Sequence, residues 1–352
     1  MIDEAAVRAR IGQFRTADGG GLPAAMIDSV AVRDGIVQVA LTVAKADAPR
    51  LDPLRQGLER DLAALSGVRN ATVMFTAPRA APAEAPAATL LGQVKSIIAV
   101  ASGKGGVGKS TVAVNLAVSL AARGLSVGLL DADIYGPSLP RMLGTAGKPD
   151  MIGNKLVPID AWGLKAISIG HVVAEDTAMV WRGPMVLNAL MQLMTQVDWP
   201  ALDVMVIDLP PGTGDIQLTL SQRLKLTGAV VVSTPQDIAL LDARRGVSMF
   251  QQVRVPVLGI VENMSFFCCP NCGTRTEIFG HGGARAEAAR IGVPFLGEVP
   301  LLPAIRETSD AGTPIAVSAP GSEAALAFMA VADAVMRQMG GERTAGPRIV
   351  IE

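Results

Sequence analysis

The chain has 352 residues, of which 50% are hydrophobic, so it is long enough to bury a large core, and its length suggests two domains. Its 31 lysines and arginines balance 32 acidic residues, which argues against a broad affinity for nucleic acid or an anionic membrane. The first residues lack the pattern of a signal peptide, and no apolar stretch is long enough to cross a bilayer, so we expect a cytoplasmic protein without a nucleic-acid or membrane partner.

Residues 1–76 are predicted to form a small α+β domain. Apolar side chains alternate on either side of Asp34 and Gly35, which is typical of a β-hairpin. Leucines then recur at helical spacing over residues 51–65, and a second alternation over residues 71–75 predicts a third strand.

Residues 77–92 are rich in alanine and proline and follow neither periodicity, so they are expected to be a linker. Residues 93–352 alternate strands with helices, a pattern that predicts an α/β domain with a mostly parallel, doubly wound sheet. The strands are expected near residues 97–100, 126–131, 204–208, 229–233, 257–262 and 295–299. In such a domain, ligands bind where the strands end.

The most informative stretch fits the phosphate-binding pattern G-x-x-x-x-G-K-[ST] and lies between a predicted strand and a predicted helix. It comprises Gly103, Lys104, Gly105, Gly106, Val107, Gly108, Lys109, Ser110 and Thr111. Its glycines allow consecutive backbone N–H groups to converge on phosphate oxygens. We expect Lys109 to contact the β- and γ-phosphates and Ser110 to bind the Mg²⁺ that accompanies the nucleotide.

Two acidic motifs follow later strands of this domain. The apolar strand that ends at Asp208 continues as DLPPGTGD, which is typical of a Walker B strand, and Asp208 is expected to hold Mg²⁺ through its water shell. In the motif DADIYGPS, Asp133 is the candidate for orienting the attacking water or contacting Mg²⁺, while an Asx-type turn is the alternative for both Asp131 and Asp133.

Lys104 is a second lysine inside a loop that already has its phosphate lysine in Lys109. A second cation is intelligible if it crosses a dimer interface and neutralises charge on the partner's nucleotide, as an arginine finger does. A solvated loop lysine is the alternative. On the first interpretation the catalytic residues are Lys104, Lys109 and Asp133.

The three cysteines, Cys268, Cys269 and Cys272, lie too close together to link distant parts of a fold by disulfides. The Cys-x-x-Cys spacing lets two thiolates bind one metal centre, but a tetrahedral zinc or a [4Fe-4S] cluster needs four ligands. His281 is the nearest candidate for a third ligand, whereas two subunits related by a twofold axis would supply all four. A redox dithiol and a structural zinc bridge are the alternatives.

The phosphate-binding loop resembles the deviant Walker A loop of the family that includes MinD, ParA and the nitrogenase iron protein, which are ATP-driven dimers. Together with DADIYGPS, DLPPGTGD, VENMS at residues 261–265 and CPNC at residues 269–272, it resembles the Mrp/ApbC iron-sulfur cluster carrier ATPases. This resemblance covers residues 93–339.

The resemblance implies a P-loop NTPase that binds ATP and Mg²⁺ and hydrolyses ATP slowly. It also implies adenine near Asn263, contact of Lys104 with the partner's nucleotide, and a homodimer. A [4Fe-4S] cluster, favoured over zinc on this ground alone, would be bridged by Cys269 and Cys272 of two subunits and passed to apo iron-sulfur proteins. The first domain resembles a domain often fused to these carriers. It reads ADAP at residues 46–49, where many members have a cysteine, so only docking or regulation is expected of it.

Two other functions are alternatives to the carrier. A positioning ATPase of the MinD/ParA type, with structural zinc bridging the cysteine pairs, usually adds a basic amphipathic tail or patch, whereas residues 340–352 are short and mixed in charge. A reductase like the nitrogenase iron protein draws its cysteines from two separate sites, unlike the adjacent Cys269 and Cys272. The sequence therefore predicts a homodimeric, ATP-driven cluster carrier.

Overall fold

The computed structural model describes residues 4–14, 22–23, 26–33, 35–43, 47–76, 91–145, 147–173 and 183–340. The chain divides into two compact units, Met1–Pro86 and Ala87–Glu352. Asp34 of the predicted hairpin turn and residues 77–90 of the predicted linker lie outside the described residues. Within the described part of the chain, no helix has the length and apolar character that a membrane span requires.

The first unit contains a three-stranded sheet and two helices that share one apolar core. Its elements are α1 (Glu4–Gln13), β1 (Ile27–Arg33), β2 (Ile36–Thr42), α2 (Ala48–Ala63) and β3 (Asn70–Thr76). Strands β1 and β2 pair antiparallel, and β2 and β3 pair parallel. The predicted hairpin, helix and third strand are confirmed, because alternating residues such as Val37 and Val39 and the leucines Leu58 and Leu62 are fully buried.

The second unit is built on a nine-stranded sheet that is mostly parallel. Its strands, together with a separate small hairpin formed by β6 and β7, are β4 (Val94–Ser102), β5 (Val127–Asp131), β6 (Met151–Ile152), β7 (Lys155–Leu156), β8 (Ile159–Ala161), β9 (Leu164–Ser168), β10 (Leu202–Asp208), β11 (Gly228–Ser233), β12 (Val257–Cys268), β13 (Arg275–Thr276) and β14 (Phe295–Leu301). Its helices are α3 (Lys109–Ala122), α4 (Leu139–Met142), α5 (Gly183–Thr195), α6 (Asp215–Arg223), α7 (Asp237–Gln252), α8 (Gly283–Ile291), α9 (Pro303–Asp310), α10 (Ile315–Ser318) and α11 (Glu323–Met339).

The strand order is β13-β12-β11-β4-β10-β5-β9-β8, and β14 also pairs with β12. Within this path only the edge strands β13 and β8 run antiparallel to their neighbours. One apolar core joins the sheet to α3, α10 and α11, and a second joins it to α5, α6, α7 and α8. The predicted α/β architecture, with helices on both faces of a mostly parallel sheet, is confirmed.

Strand β12 does not end at Glu262, as the sequence suggested, but continues to Cys268. Glu262 lies in the predicted strand, whereas Asn263 and Ser265 lie beyond its predicted end, and all three are buried. Each of them is hydrogen-bonded: Asn263 donates to the carbonyl of Val107, and the Ser265 hydroxyl donates to the carboxylate of Glu262. Glu262 also accepts the backbone N–H groups of Gly282 and Ala284 at the start of α8. Buried polar groups that are hydrogen-bonded in this way are compatible with a central strand.

The pairing of β12 with β14 shifts register between Asn263 and Phe267. Met264 lies in this interval with a φ of +56°, an uncommon conformation for a residue other than glycine. The shift divides β12 into a part that runs beside the phosphate-binding loop and a part that leads to the cysteines.

Candidate functional site

The predicted phosphate-binding residues form the turn from β4 into α3. Gly103 and Gly108, at the two ends of this turn, have no room for a side chain. A Cβ on Gly103 would collide with the backbone of Asp242, and a Cβ on Gly108 would collide with the side-chain amide of Asn263. Gly108 also has a φ of +81°, which favours glycine. The two glycines therefore allow α7 and β12 to pack directly against the loop.

The middle of the turn, Gly105 and Gly106, is exposed. Val107 is buried in the core, and Ser110 and Thr111 lie half-buried in the first turn of α3. The first N–H groups of a helix have no partner within the helix, and the helix dipole places partial positive charge there. The end of α3 that meets the loop is therefore suited to bind phosphate.

The structure brings four predicted site residues together at the carboxyl ends of β4, β5 and β10. Lys109 is 6% exposed, and its Nζ lies 2.6 Å from Oδ1 of Asp208 and 3.8 Å from Oδ2 of Asp133. The hydroxyl of Ser110 lies 3.3 Å from the same Nζ. The Lys109 ammonium is thus held by the carboxylates of Asp208 and Asp133.

Asp131 has a structural role in the loop that follows β5. Its carboxylate accepts the backbone N–H of Asp133 at 3.0 Å, which is the Asx-type turn that the sequence left as an alternative. It also accepts the N–H groups of Ser138 and Leu139 and the hydroxyl of Ser168. These four bonds fix the loop that carries Asp133.

The carboxylates of Asp131, Asp133 and Asp208 outnumber the cation that they surround, Lys109. Burial, together with the charge of Asp208, raises the pKa of Asp131 to about 7. Burial also raises the pKa of Asp133, although the charge of Lys109 opposes it. Oδ2 of Asp208 is buried and, among the described residues, has no hydrogen-bond partner. An unsatisfied carboxylate oxygen in a site with excess negative charge fits a hydrated Mg²⁺, with the Ser110 hydroxyl beside it.

A cavity of about 540 Å³ adjoins the loop on the side of Gly108 and Thr111. Asn263 lies in its lining and donates a hydrogen bond from Nδ2 to the carbonyl of Val107 at 2.8 Å. The remaining walls are residues 137–142 and 300–310, whose part in a cavity the sequence did not indicate. Pro137 and Ser138 end the DADIYGPS motif, whereas residues 300–310 carry no motif and come to this place through the packing of α4 on α9. The volume and position suit the sugar and base of a nucleotide whose phosphates lie in the loop.

Lys104 lies in the same loop as Lys109 and is half-buried. Its backbone carbonyl accepts a hydrogen bond from the Ser102 hydroxyl at 2.9 Å. The Lys104 ammonium forms no ion pair with any residue that the structure describes. The structure therefore brings Lys109 into the charge cluster and leaves Lys104 available to an external anion.

The cysteines lie at a β-turn between β12 and β13. The N–H of Cys269 donates to the carbonyl of Thr274, and the N–H of Gly273 donates to the carbonyl of Cys269. Gly273 adopts a φ of +71°, a conformation that favours glycine. Residues 268–276, from the last residue of β12 to the end of β13, form a short hairpin tip that is called here the cysteine hairpin.

The three thiols of the cysteine hairpin differ in environment. Sγ of Cys272 lies 3.1 Å from Oγ1 of Thr274, and hydrogen bonding to Thr274 lowers the pKa of the exposed Cys272 thiol. Sγ of Cys268 lies 3.9 Å from Oε1 of Glu323, and burial and the Glu323 charge raise the pKa of that thiol. Cys272 is therefore the readier thiolate, as a metal ligand must be. His281, the sequence's candidate third ligand, contacts Ser265 and Arg275 instead.

The chain is similar to a family of nucleotide-dependent iron-transfer proteins. Residues 93–336 match the family profile described as "ParA: NUBPL iron-transfer P-loop NTPase". The "Iron-sulfur cluster carrier protein" of Escherichia coli (strain K12) is 56% identical over 250 residues, which are 70% of this chain and 67% of that protein. The protein of the same name from Synechocystis sp. is 47% identical over 313 residues, covering 87% of this chain and 89% of that protein.

Two solved structures support the fold. A nucleotide-binding protein from Archaeoglobus fulgidus in complex with ADP is 41% identical, with a TM-score of 0.57, and covers 63% of this chain and 88% of that chain. The cell division ATPase MinD of Pyrococcus furiosus is 23% identical, with a TM-score of 0.53, and covers 69% and 99%. The likeness to MinD concerns the fold alone. Together they confirm the predicted P-loop NTPase fold.

Proposed function

This chain belongs to the NUBPL-type family of iron-transfer P-loop NTPases, and from that premise we propose that it carries a [4Fe-4S] cluster between two copies of itself and delivers it to apo iron-sulfur proteins. Membership of a P-loop NTPase family implies nucleotide hydrolysis. The proposal adds that the nucleotide is ATP with Mg²⁺ and that a slow hydrolysis is coupled to transfer of the cluster.

The observation that carries the proposal is the composition of the cysteine hairpin. It presents Cys269 and Cys272 at an exposed tip, while the third thiol, Cys268, lies against Glu323. Two thiolates leave a four-iron cluster with half of its protein ligands. A second copy of the chain, related by a twofold axis, supplies the other two. A cluster held at an exposed interface is also one that an acceptor protein can reach.

The charge cluster around Lys109 supports the proposed hydrolysis. Lys109 would bind the β- and γ-phosphates of ATP in place of Asp208, and Asp208 would then hold the Mg²⁺ through water. Asp133, 3.8 Å from the ammonium, is the carboxylate placed to orient the attacking water. Lys104 is proposed to reach the phosphates bound to the second copy, so that hydrolysis requires the dimer.

Strand β12 offers a direct connection between nucleotide and cluster. Asn263, which bonds the carbonyl of Val107 in the phosphate-binding loop, lies on the same strand as Cys268. Cys268 lies five positions after Asn263 along the chain, and the register shift at Met264 lies between them, so a shift imposed on Asn263 by the nucleotide would reach the base of the cysteine hairpin through this irregular segment. We propose that this strand is how ATP alters the hold on the cluster.

A positioning ATPase of the MinD type is the weaker proposal. The relatives from Escherichia coli and Synechocystis sp., at 56% and 47% identity, carry names that refer to iron and sulfur, while the similarity to MinD at 23% identity concerns the fold alone. The thiols at an exposed tip also fit a transferable cluster better than a structural zinc, which is normally enclosed by its four ligands.

A transfer assay tests the carrier function. Protein reconstituted anaerobically with iron and sulfide is mixed with an apo hydro-lyase whose activity depends on a [4Fe-4S] cluster, in the presence of an iron chelator. We expect the acceptor to gain activity although free iron is trapped. The control is the same iron and sulfide without the carrier. An acceptor that gains activity no faster with the loaded protein than in that control would rule out direct transfer.

A further inference from the structure

The cysteine hairpin has two faces. Cys268 and Arg275 are paired directly across β12 and β13, so their side chains lie on the same face, together with Phe266 two residues earlier. Cys269 and Thr274, the next residues on each arm, continue the ladder and belong to the opposite face. The face that carries Phe266, Cys268 and Arg275 is therefore turned to the domain, and the opposite face carries Cys269 of the cysteine pair.

The face turned to the domain is held by the guanidinium of Arg275. Its Cζ lies 3.6 Å from the centre of the Phe266 ring, which is close enough for a strong cation–π contact. One guanidinium nitrogen lies 3.3 Å from both ring nitrogens of His281 and 3.9 Å from Oε1 of Glu298. A single side chain thus connects β13 to β12, to β14 and to the turn before α8.

The partners of Arg275 are fixed in turn. Glu262, His281 and Glu298 bring ligand atoms within 4.8 Å of one another, an arrangement that suits a cation. Glu262 is fully buried and accepts the N–H groups of Gly282 and Ala284, so it ties this cluster to the start of α8. The Arg275 guanidinium is the positive charge that lies against this set of donors. We infer that the cluster of Glu262, His281 and Glu298 is the binding site of the Arg275 guanidinium.

We propose that Arg275 is the positioning residue for Cys269 and Cys272, and this inference rests on the proposed role of these cysteines as metal ligands. Strand β13 is two residues long, and its ladder with β12 joins Phe267 to Thr276 and Cys268 to Arg275. A pair of residues in a ladder defines register poorly, whereas a guanidinium that contacts Phe266, His281 and Glu298 fixes β13 in place. Thr274 immediately precedes Arg275. Its carbonyl accepts a hydrogen bond from the N–H of Cys269, and its hydroxyl contacts Sγ of Cys272.

Groups that orient metal ligands without touching the metal typically change metal affinity by about 10- to 100-fold. For a site shared by two chains the requirement is stricter, because both hairpins must present their thiolates at the same spacing. Replacing Arg275 should therefore weaken metal binding without changing the number of cysteines.

Co²⁺ is the probe, because a thiolate-bound Co²⁺ ion has sulfur-to-metal charge-transfer absorption that reports the number and geometry of its sulfur ligands. The full chain is titrated anaerobically as wild type, R275Q, R275K and E298Q. The matched control is R285Q, because Arg285 also stacks on a phenylalanine, with its Cζ 4.3 Å from the Phe295 ring, but lies on α8. Mg·ADP affinity, measured on the same samples, reports whether the domain remains intact.

We expect R275Q to weaken Co²⁺ binding by about tenfold or more and to reduce the charge-transfer intensity per bound ion. R275K keeps the charge but loses the planar fork, so it should lie between R275Q and wild type, as should E298Q. R285Q should bind Co²⁺ as wild type does. Mg·ADP affinity should stay within about twofold in every variant.

Two results would overturn the inference. In the first, R275Q and E298Q have the Co²⁺ affinity and spectrum of R285Q. In the second, Co²⁺ and Mg·ADP affinities fall together by the same factor, so that Arg275 only supports the domain as a whole. If wild type binds Co²⁺ through its thiolates but takes up no iron and sulfide, the carrier proposal fails while the positioning role of Arg275 stands.

Discussion

Replacing Lys109 by alanine should reduce ATP hydrolysis by at least about 10²-fold, which corresponds to about 2.7 kcal/mol in the activation barrier. The side chain is 6% exposed and its ammonium lies at the start of α3, where the phosphates of a bound nucleotide would replace Asp208 as its partner. Without it, the charge that develops on the transferred phosphoryl group has no buried cation beside it. Phosphate release under saturating Mg·ATP measures the effect.

Lys95→Ala is the matched control for this variant. Lys95 lies on the same strand that leads into the loop, but its ammonium is exposed and pairs with Asp203, 2.7 Å away. Its removal should leave hydrolysis within about twofold of wild type. Because Lys109→Ala leaves three carboxylates uncompensated, its melting temperature is measured as well. A folded Lys109→Ala protein that hydrolyses ATP at more than half the wild-type rate would contradict the assignment.

The double variant Cys269→Ser, Cys272→Ser should retain about a tenth or less of the iron and sulfide that the wild type takes up under anaerobic reconstitution. A serine hydroxyl is not deprotonated at neutral pH and is a poor ligand for iron in a cluster, so both chains of a dimer lose their ligands at once. Iron and sulfide content and the charge-transfer absorption of the cluster measure the loss.

Cys268→Ser provides the control within the same hairpin. Its thiol lies against Glu323 on the face opposite to the cysteine pair, and its raised pKa makes it the poorer ligand. This variant should hold iron and sulfide as the wild type does. If Cys268→Ser loses the cluster and the double variant keeps it, the ligands have been assigned to the wrong cysteines.

The sequence predicted the sheet and the phosphate-binding loop well, because both depend on local pattern. Buried parallel strands are continuous apolar runs. The loop has the fixed spacing of glycines and a lysine that is typical of phosphate-binding loops. The strand at residues 202–208 and the loop at residues 103–108 illustrate the two cases. The carboxylate Asp208 was predicted from its place at the end of such a strand.

The sequence did not reveal features that depend on contacts between distant segments. Asn263 lies inside β12, beyond the predicted end of the strand, and its buried amide finds its partner in the carbonyl of Val107, which is distant in sequence. The cavity wall at residues 300–310 carries no motif, and only the fold brings it to the phosphate-binding loop. Arg275 is an ordinary arginine in the sequence, and its importance comes from Phe266 and Glu298, which other elements place beside it.

The central claim is that one metal–sulfur centre joins two copies of this chain through Cys269 and Cys272. Its most direct test is the native mass of the anaerobically reconstituted protein, with iron, sulfide and zinc counted on the same sample. We predict a species of two chains that contains four iron and four sulfide, and single chains without metal for the Cys269→Ser, Cys272→Ser variant. A species of single chains that holds iron and sulfide, or a dimer that holds zinc without sulfide, would contradict it.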